Sequence, residues 1–274
     1  MTIENYLDEW LSSGRRSSPN TAEAYRRDVL AFIAFTGHKP VATITAADVT
    51  SYQALLRQKY QPASEYRKLA SIRSFFKFLK VSKVITENPA ETIEGPRTDV
   101  KFKEKVVTED EVLAMIDAAQ GTRSDSLLLR LLYISAGRIS EILALTWNRF
   151  TETEEGGARV QIAGKGRRNR EVYLPPSLWA DLAAMRAGAE DHALLFPISR
   201  QEAHRIIKRI ARAAKVTGDV SAHWFRHSAA THGLERGATL AQVRDQLGHA
   251  DVKMTSRYIH ADPENSMSKV LRIG

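Results

Sequence analysis

From residue 1 to 90 apolar positions recur at helical spacing, and no run alternates with the two-residue period of a strand. Tyr6, Trp10 and Leu11 open an amphipathic segment that a polar G-R-R-S-S break at 14–18 interrupts. Ser18 before Pro19 suits a helix cap and first turn, and Tyr25, Val29, Phe32, Ile33 and Phe35 carry that helix to a stop at Gly37. Thr45 with Asp48 three residues later predicts a capped third helix. A fourth is predicted over about 63–79, with Leu69, Ile72, Phe76 and Leu79 as its buried stripe.

The pattern breaks at 87–105, where two prolines, a glycine and a run of charges carry no apolar period. This stretch reads as an inter-domain linker. Residues 1–97 then form one domain, 98–105 the connection proper and 106–274 a second domain. Thr108 with Glu111 restarts the helical pattern through another capping box. Residues 126–146 are almost wholly apolar except for Arg130, Arg138 and Glu141, which predicts two helices meeting at Ala136 and Gly137, with Arg138 opening the second. Val160 and Ile162, then Val172 and Leu174, alternate on either side of G-K-G-R-R-N-R at 164–170, the signature of a β-hairpin with a cationic turn. A further helix spans Arg200 to Lys215.

Composition changes the picture in three ways. A chain of 274 residues, 43% hydrophobic and 26% charged, has the length of two domains and the balance of a folded protein. Its net charge of +8 favours a polyanionic partner, nucleic acid before acidic membrane, and the excess is shared: 14 Lys and Arg face 10 Asp and Glu through Arg97, and 26 face 22 after it. The absence of cysteine excludes disulfides, a thiol nucleophile and thiolate metal sites. No signal-peptide pattern opens the chain and no apolar run reaches membrane-spanning length, so a cytoplasmic protein without membrane contact is the simplest reading.

Candidate chemistry lies in the basic residues. Arg73, Lys77 and Lys80 form one row on the fourth helix, and Arg205, Lys208, Arg209 and Arg212 another on the helix after Arg200. Either row can also be a solvated face; in a basic chain the first suits backbone phosphates and the second guanine edges or phosphates. The turn lysine Lys165 sits between glycines, which lets the backbone approach a ligand and leaves the ammonium free to reach it, with Arg167 and Arg168 beside it. Arg138, in its apolar setting, needs a partner or an anion, and Glu141 one turn on is a natural partner. His223 and Arg226, three apart in H-W-F-R-H, share one side of a helical turn, followed by L-G-H at 247–249 and Y-I-H at 258–260. The H-x-x-x-H spacing of His223 and His227, with His232, His249 and His260 nearby, also fits a zinc hydrolase, although the general-base Glu of H-E-x-x-H is absent and Arg226 sits between the histidines.

Taken together, S-A-G-R-I-S-E around Arg138, A-G-K-G-R-R-N-R around Lys165, H-x-x-R-H-S, L-G-H and Y-x-H resemble the active-site set of the tyrosine recombinase (phage integrase) family, of the Xer-like two-domain kind. The segment N-T-A-E-A-Y-R-R-D at 20–28 is similar to the start of that family's core-binding domain. Two departures, S-A-G-R where many members have T-G-L-R and Phe225 where Leu is common, touch packing positions rather than reacting groups. The resemblance implies a mostly α fold: an α-helical, SAM-like core-binding domain followed by a mainly α catalytic domain with a small antiparallel β-sheet. It implies Tyr258 as nucleophile, Arg138 and Arg226 as clamps on the non-bridging phosphate oxygens, Lys165 as proton donor to the leaving 5′-hydroxyl, His223 and His249 as hydrogen-bonding or proton-accepting groups, and Glu141 as support. It further implies a 3′-phosphotyrosine intermediate on double-stranded DNA with no metal or other cofactor. The corresponding assembly is a homo-tetramer on two sites, a dimer on each, with exchange of C-terminal tails and compatible with an accessory protein. A type IB topoisomerase-like nicking-closing enzyme shares nearly all this chemistry, and a non-catalytic DNA-binding protein accounts for the charge alone.

Overall fold

A computed structural model describes residues 3–13, 19–96, 106–164 and 169–248. The chain divides into two compact units, residues 1–100 and 101–274. Each is described by itself.

The first unit contains four helices, α1 (Ile3–Ser13), α2 (Pro19–Phe35), α3 (Ala46–Lys59) and α4 (Pro62–Val81), with no strand among its described residues. The Thr45–Asp48 capping box is formed, the Thr45 hydroxyl accepting from the Asp48 amide while the Asp48 carboxylate accepts from the Thr45 amide at 2.9 Å. Helix α4 touches all three others, and Leu69, Ile72, Phe75, Phe76 and Leu79 bury its inner stripe against Trp10, Val29, Phe32 and Leu56. Each such aromatic or branched side chain removed from water contributes about 1.5–3 kcal/mol. Phe35 departs from the expected stripe: it is 41% exposed and lies against Tyr52 at the rim. Asp28, almost fully buried, is the acceptor for Arg67, Lys68 and Ser71 of α4, so a carboxylate inside the bundle is held by three donors.

The front of the expected linker belongs to this unit. Gln53 donates to the Glu94 carbonyl at 2.8 Å, Ala90 is buried, and the Arg73 guanidinium donates to the carbonyls of Ala90 (3.0 Å) and Ile93. This agrees with the reading of residues 1–97 as one domain; the docking itself uses backbone carbonyls, which every residue carries, so no side-chain pattern announces it.

The second unit is built around α6 (Arg123–Ser135), whose Leu127, Leu128, Leu129, Leu131 and Leu132 are all buried. A helix apolar on nearly every side must be covered nearly everywhere. The cover comes from α5 (Glu109–Ala118), α8 (Pro176–Arg186), α10 (Ala222–Glu235) and a three-stranded antiparallel sheet, β1 (Phe150–Glu152), β2 (Ala158–Ala163) and β3 (Asn169–Leu174). The expected hairpin is β2–β3, with Val160 opposite Val172 and Ala158 opposite Leu174 facing the core. Strand β1 is too short to show a period, and α8 is set by Pro176 and by Leu178 and Leu182 packing inward. The remaining helices are the single turn α7 (Ile139–Ile142), α9 (Arg200–Ala213) and α11 (Leu240–Leu247). Among the described residues, no helix is long and apolar enough to cross a membrane.

Candidate active site

Arg138 stands where α6 ends and α7 begins. Ala136 takes a left-handed conformation (φ +47°), and Gly137 has no room for a side chain: a Cβ there would lie 2.6 Å from Ile142 Cδ1 and 3.0 Å from Ser135 Oγ. The sharp corner leaves Arg138 as the N-cap of α7, half-buried, its amide donating to Glu141 Oε2 at 3.0 Å and its Nη1 to Glu141 Oε1 at 2.7 Å. The sequence reading of a two-helix junction with an Arg–Glu pair describes this geometry.

Glu141 has a second partner that the sequence reading did not single out. Arg170 Nη2 donates to Glu141 Oε2 at 2.7 Å, with both side chains under a tenth exposed. Burial would push the Glu141 carboxyl up, but the hydrogen bond from Arg170, then those from the Arg138 amide and guanidinium, bring it below its ordinary value. Arg170 had been counted among the turn cations. The β2–β3 register places it opposite Ile162 and in phase with Val172 and Leu174, on the inward face. Alternation along 170, 172 and 174 was the available signal.

Arg226 is more deeply placed, 2% exposed on the inner side of α10. Its Nη1 donates to the Ala136 carbonyl at 2.7 Å and its Nη2 to the Leu247 carbonyl at 2.6 Å. These carbonyls close the C-terminal ends of α6 and α11, where helix carbonyls lack intrahelical donors and the dipole is negative. One guanidinium thus caps two helices. His223 lies in the first turn of α10, exposed, its ring edge-to-face with that of His227 at 4.3 Å between centroids and 77° between planes. That places ring against ring. Among the described residues no group of three or more His, Asp or Glu forms that could hold a metal ion; His249 and His260 lie outside them.

Two hollows meet at Arg138. One, of about 410 Å³, is lined by Arg138, Glu141, Arg149, Gln161 and Gly164, the residue from which the chain enters Lys165. The other, of about 570 Å³, runs from Arg138 and Ser140 past Arg200, Gln201 and His204 of α9 to Ser221 and His223. Arg138 and His223, from distant parts of the sequence, therefore border one groove, with Arg226 bonded to the corner beneath it. Lys165, Arg167, Arg168, His249 and Tyr258 lie outside the described residues.

The basic rows divide. On α9, Arg205 pairs with Glu202, Lys208 with Asp219 (2.9 Å) and Arg209 with Asp125, while Arg212 is exposed. The α9 residues at the groove are instead Arg200, Gln201 and His204, one turn nearer the N-terminus, which the amphipathic pattern alone could not distinguish from any other polar face. On α4, Lys80 pairs with Glu91 and Lys77 is exposed, whereas Arg73 is turned to the carbonyls of residues 90 and 93. Arg73 and Lys77 thus do different work despite sharing a helical row.

A four-helix unit joined to a helical unit with a small antiparallel sheet, in which Arg138 and His223 from separate segments border one groove and Arg226 is bonded to the neighbouring Ala136 carbonyl, defines an integrase-type strand-transfer enzyme. Residues 105–265 match the model of the phage integrase family, and residues 3–83 match that of the phage integrase N-terminal SAM-like domain: the chain belongs to the phage integrase family. It is 31% identical over 286 aligned positions to a tyrosine recombinase of Thermosipho africanus, covering 99% of each chain. It is 32% identical over 284 to tyrosine recombinase XerD of Chlorobaculum tepidum, covering 95% of this chain and 92% of that relative. The fold is similar to that of a lambda integrase (residues 75–356) dimer bound to a COC′ core site, with TM-score 0.76, 16% identity and coverage of 94% and 95%. It is also similar to a lambda integrase tetramer bound to a Holliday junction, with TM-score 0.76, 16% identity and coverage of 95% and 78%.

Proposed function

We propose that the protein is a site-specific DNA recombinase that cuts and rejoins double-stranded DNA through Tyr258. The phenol passes its proton to His223 as its oxygen attacks the scissile phosphorus, a P–O bond to tyrosine forms, and the bond to the 5′ oxygen breaks as Lys165 protonates it, leaving a 3′-phosphotyrosine and a free 5′-hydroxyl. One phosphodiester replaces another, so the exchange needs no high-energy cofactor. Attack by a 5′-hydroxyl from a second duplex completes strand transfer.

The observation that carries this reading is the groove bordered by both Arg138 and His223, with the buried Arg226 bonded to the Ala136 carbonyl beside it. A guanidinium stays charged and presents paired donors, which suits the non-bridging oxygens as charge develops on them. Glu141 holds Arg138 from behind while leaving its side chain 38% exposed. The first turn of α10, bearing Ser221, Ala222 and His223, borders the groove and adds the positive end of a helix dipole. Lys165, the residue after Gly164, is the acid for the leaving oxygen; His249 donates a further hydrogen bond. Arg167, Arg168 and Arg212, with Arg200, Gln201 and His204, serve the duplex around the cut, and Lys77 of the first unit serves backbone phosphates. The working assembly is a dimer on each site and a tetramer across two, with C-terminal tails exchanged between protomers.

The test is to incubate purified protein with fragments of its own genome, denature, and sequence what stays covalently attached. A reproducible fragment attached through its 3′ phosphate is expected. Tyr258→Phe retains DNA affinity and yields no adduct; a persistent adduct in that variant overturns the assignment of the nucleophile.

A further inference from the structure

Arg170 carries a charge at a core position of a small sheet, which is costly unless that charge has a task. Its side chain is 8% exposed and points inward from β3 with Val172 and Leu174. Its Nη2 donates to Glu141, the carboxylate that also takes both the amide and the guanidinium of Arg138. Its other end lies against the C-terminus of α11: a Cβ on Gly248, itself at φ +63°, would stand 3.3 Å from Arg170 Nη1 and 3.4 Å from its Cδ. Gly248 is therefore suited both to the left-handed cap and to the close passage of the guanidinium. Among the described residues Arg170 Nε is buried without a hydrogen-bond partner, so the fold tolerates an unpaired donor to keep this side chain in place.

Three segments meet at Arg170. Strand β3 leads back through the turn to Lys165, α7 carries Arg138, and α11 leads on to His249. We propose that Arg170 is a positioning residue of the strand-transfer site, tying Glu141, and through it Arg138, to the end of α11 from which the chain enters His249. This rests on the recombinase reading above. Arg170 does not touch DNA; it sets where the clamping guanidinium sits and fixes the spacing between the segments that carry the other groups.

The proposal separates from simple packing through acidity. Among the described residues the charged groups bonded to Glu141 are Arg138 and Arg170, with Arg149 lining the same hollow and Arg226 bonded to Ala136 two residues before Arg138. Loss of Arg170 removes one of the groups that hold the Glu141 carboxyl down while burial still pushes it up, so the carboxyl rises and, where it is protonated, its hold on Arg138 weakens. The loss of activity then deepens as pH falls.

The experiment measures covalent adduct formation on the fragment captured by wild-type protein, in a single turnover and across pH, for Arg170→Gln and Arg170→Lys. With Arg170→Gln, DNA affinity stays within about twofold, the adduct rate falls on the order of 10²-fold at neutral pH, and the acid limb moves to higher pH. Arg170→Lys keeps a cation beside Glu141 but not the fork, so it is slower than wild type with its acid limb unmoved. An unchanged rate in Arg170→Gln, or loss by one factor at every pH, overturns the proposal. If Arg170→Gln does not fold, Arg170→Lys decides alone, and a wild-type rate in it is the refuting result. No adduct from wild-type protein refutes the recombinase reading and this proposal with it; adducts from wild type and variants alike refute only the positioning role.

Discussion

Replacing Arg226 by Lys tests whether one side chain joins structure to chemistry in this fold. The native guanidinium spans two buried carbonyls, at Ala136 (3% exposed) and Leu247 (fully buried), with bonds of 2.7 and 2.6 Å. A lysine ammonium is a single nitrogen on a flexible stem and cannot reproduce a planar fork across two acceptors. At least one carbonyl loses its charged donor. A hydrogen bond to a charged group contributes about 1.5–3 kcal/mol, and the acceptor left behind remains buried. For a unit of this length each kcal/mol moves the midpoint by about 2–4 °C, so a fall of about 3–12 °C is expected. Calorimetry reads that shift, and amide exchange locates it: protection falls in α11, whose Leu247 carbonyl is one of the two anchors, while α8, which neither bond touches, keeps its own. Adduct formation falls as well, since the same guanidinium is assigned to the phosphate. A Lys variant that melts with wild type and shows unaltered exchange in α11 would refute the claim that Arg226 holds the ends of α6 and α11 together.

Two other perturbations test the first unit. Lys77→Ala lowers the salt slope of DNA binding by about 0.9, one phosphate contact, and leaves the melting temperature alone; Arg73→Ala leaves the slope and lowers the melting temperature, because Arg73 holds the chain at Ala90 and Ile93. Interchanged results would return Arg73 to the DNA surface. Asp48 is lowered from 3.8 to about 2 by its hydrogen bond to Lys39, then by the Thr45 amide. Its contribution is therefore complete above pH 3.8 and is lost as pH falls toward 2. The stability difference between wild type and Asp48→Asn, followed by denaturant titration from pH 5 to 2, narrows on acidification; a constant difference removes Asp48 from the acid response.

Much of the framework could be read without coordinates because its causes are local. Thr45 with Asp48 and Thr108 with Glu111 form capping boxes whose partners are three residues apart. The helical stripe of α4 and the alternation of 160, 162, 172 and 174 declare their elements by period alone. Even the corner at Ala136 and Gly137, and the Arg138–Glu141 pair just after it, lie within one short run of sequence. The Asn20–Asp28 segment resembles a family pattern, and its last residue is the buried acceptor for donors of α4.

Charge was another matter, because a cation's role depends on which acceptor reaches it. Arg209 and Lys208 find Asp125 and Asp219, Arg73 finds carbonyls 17 and 20 residues further on, and Arg170 finds Glu141 29 residues back. The sequence alone determined two helical units, a cationic hairpin and the residue types of a phosphoryl-transfer site, since period, capping and composition are properties of neighbours. Which arginines face the groove, which cap helices and which brace another arginine was decided only by tertiary packing. A buried guanidinium must be matched by acceptors from whatever segments the core brings beside it.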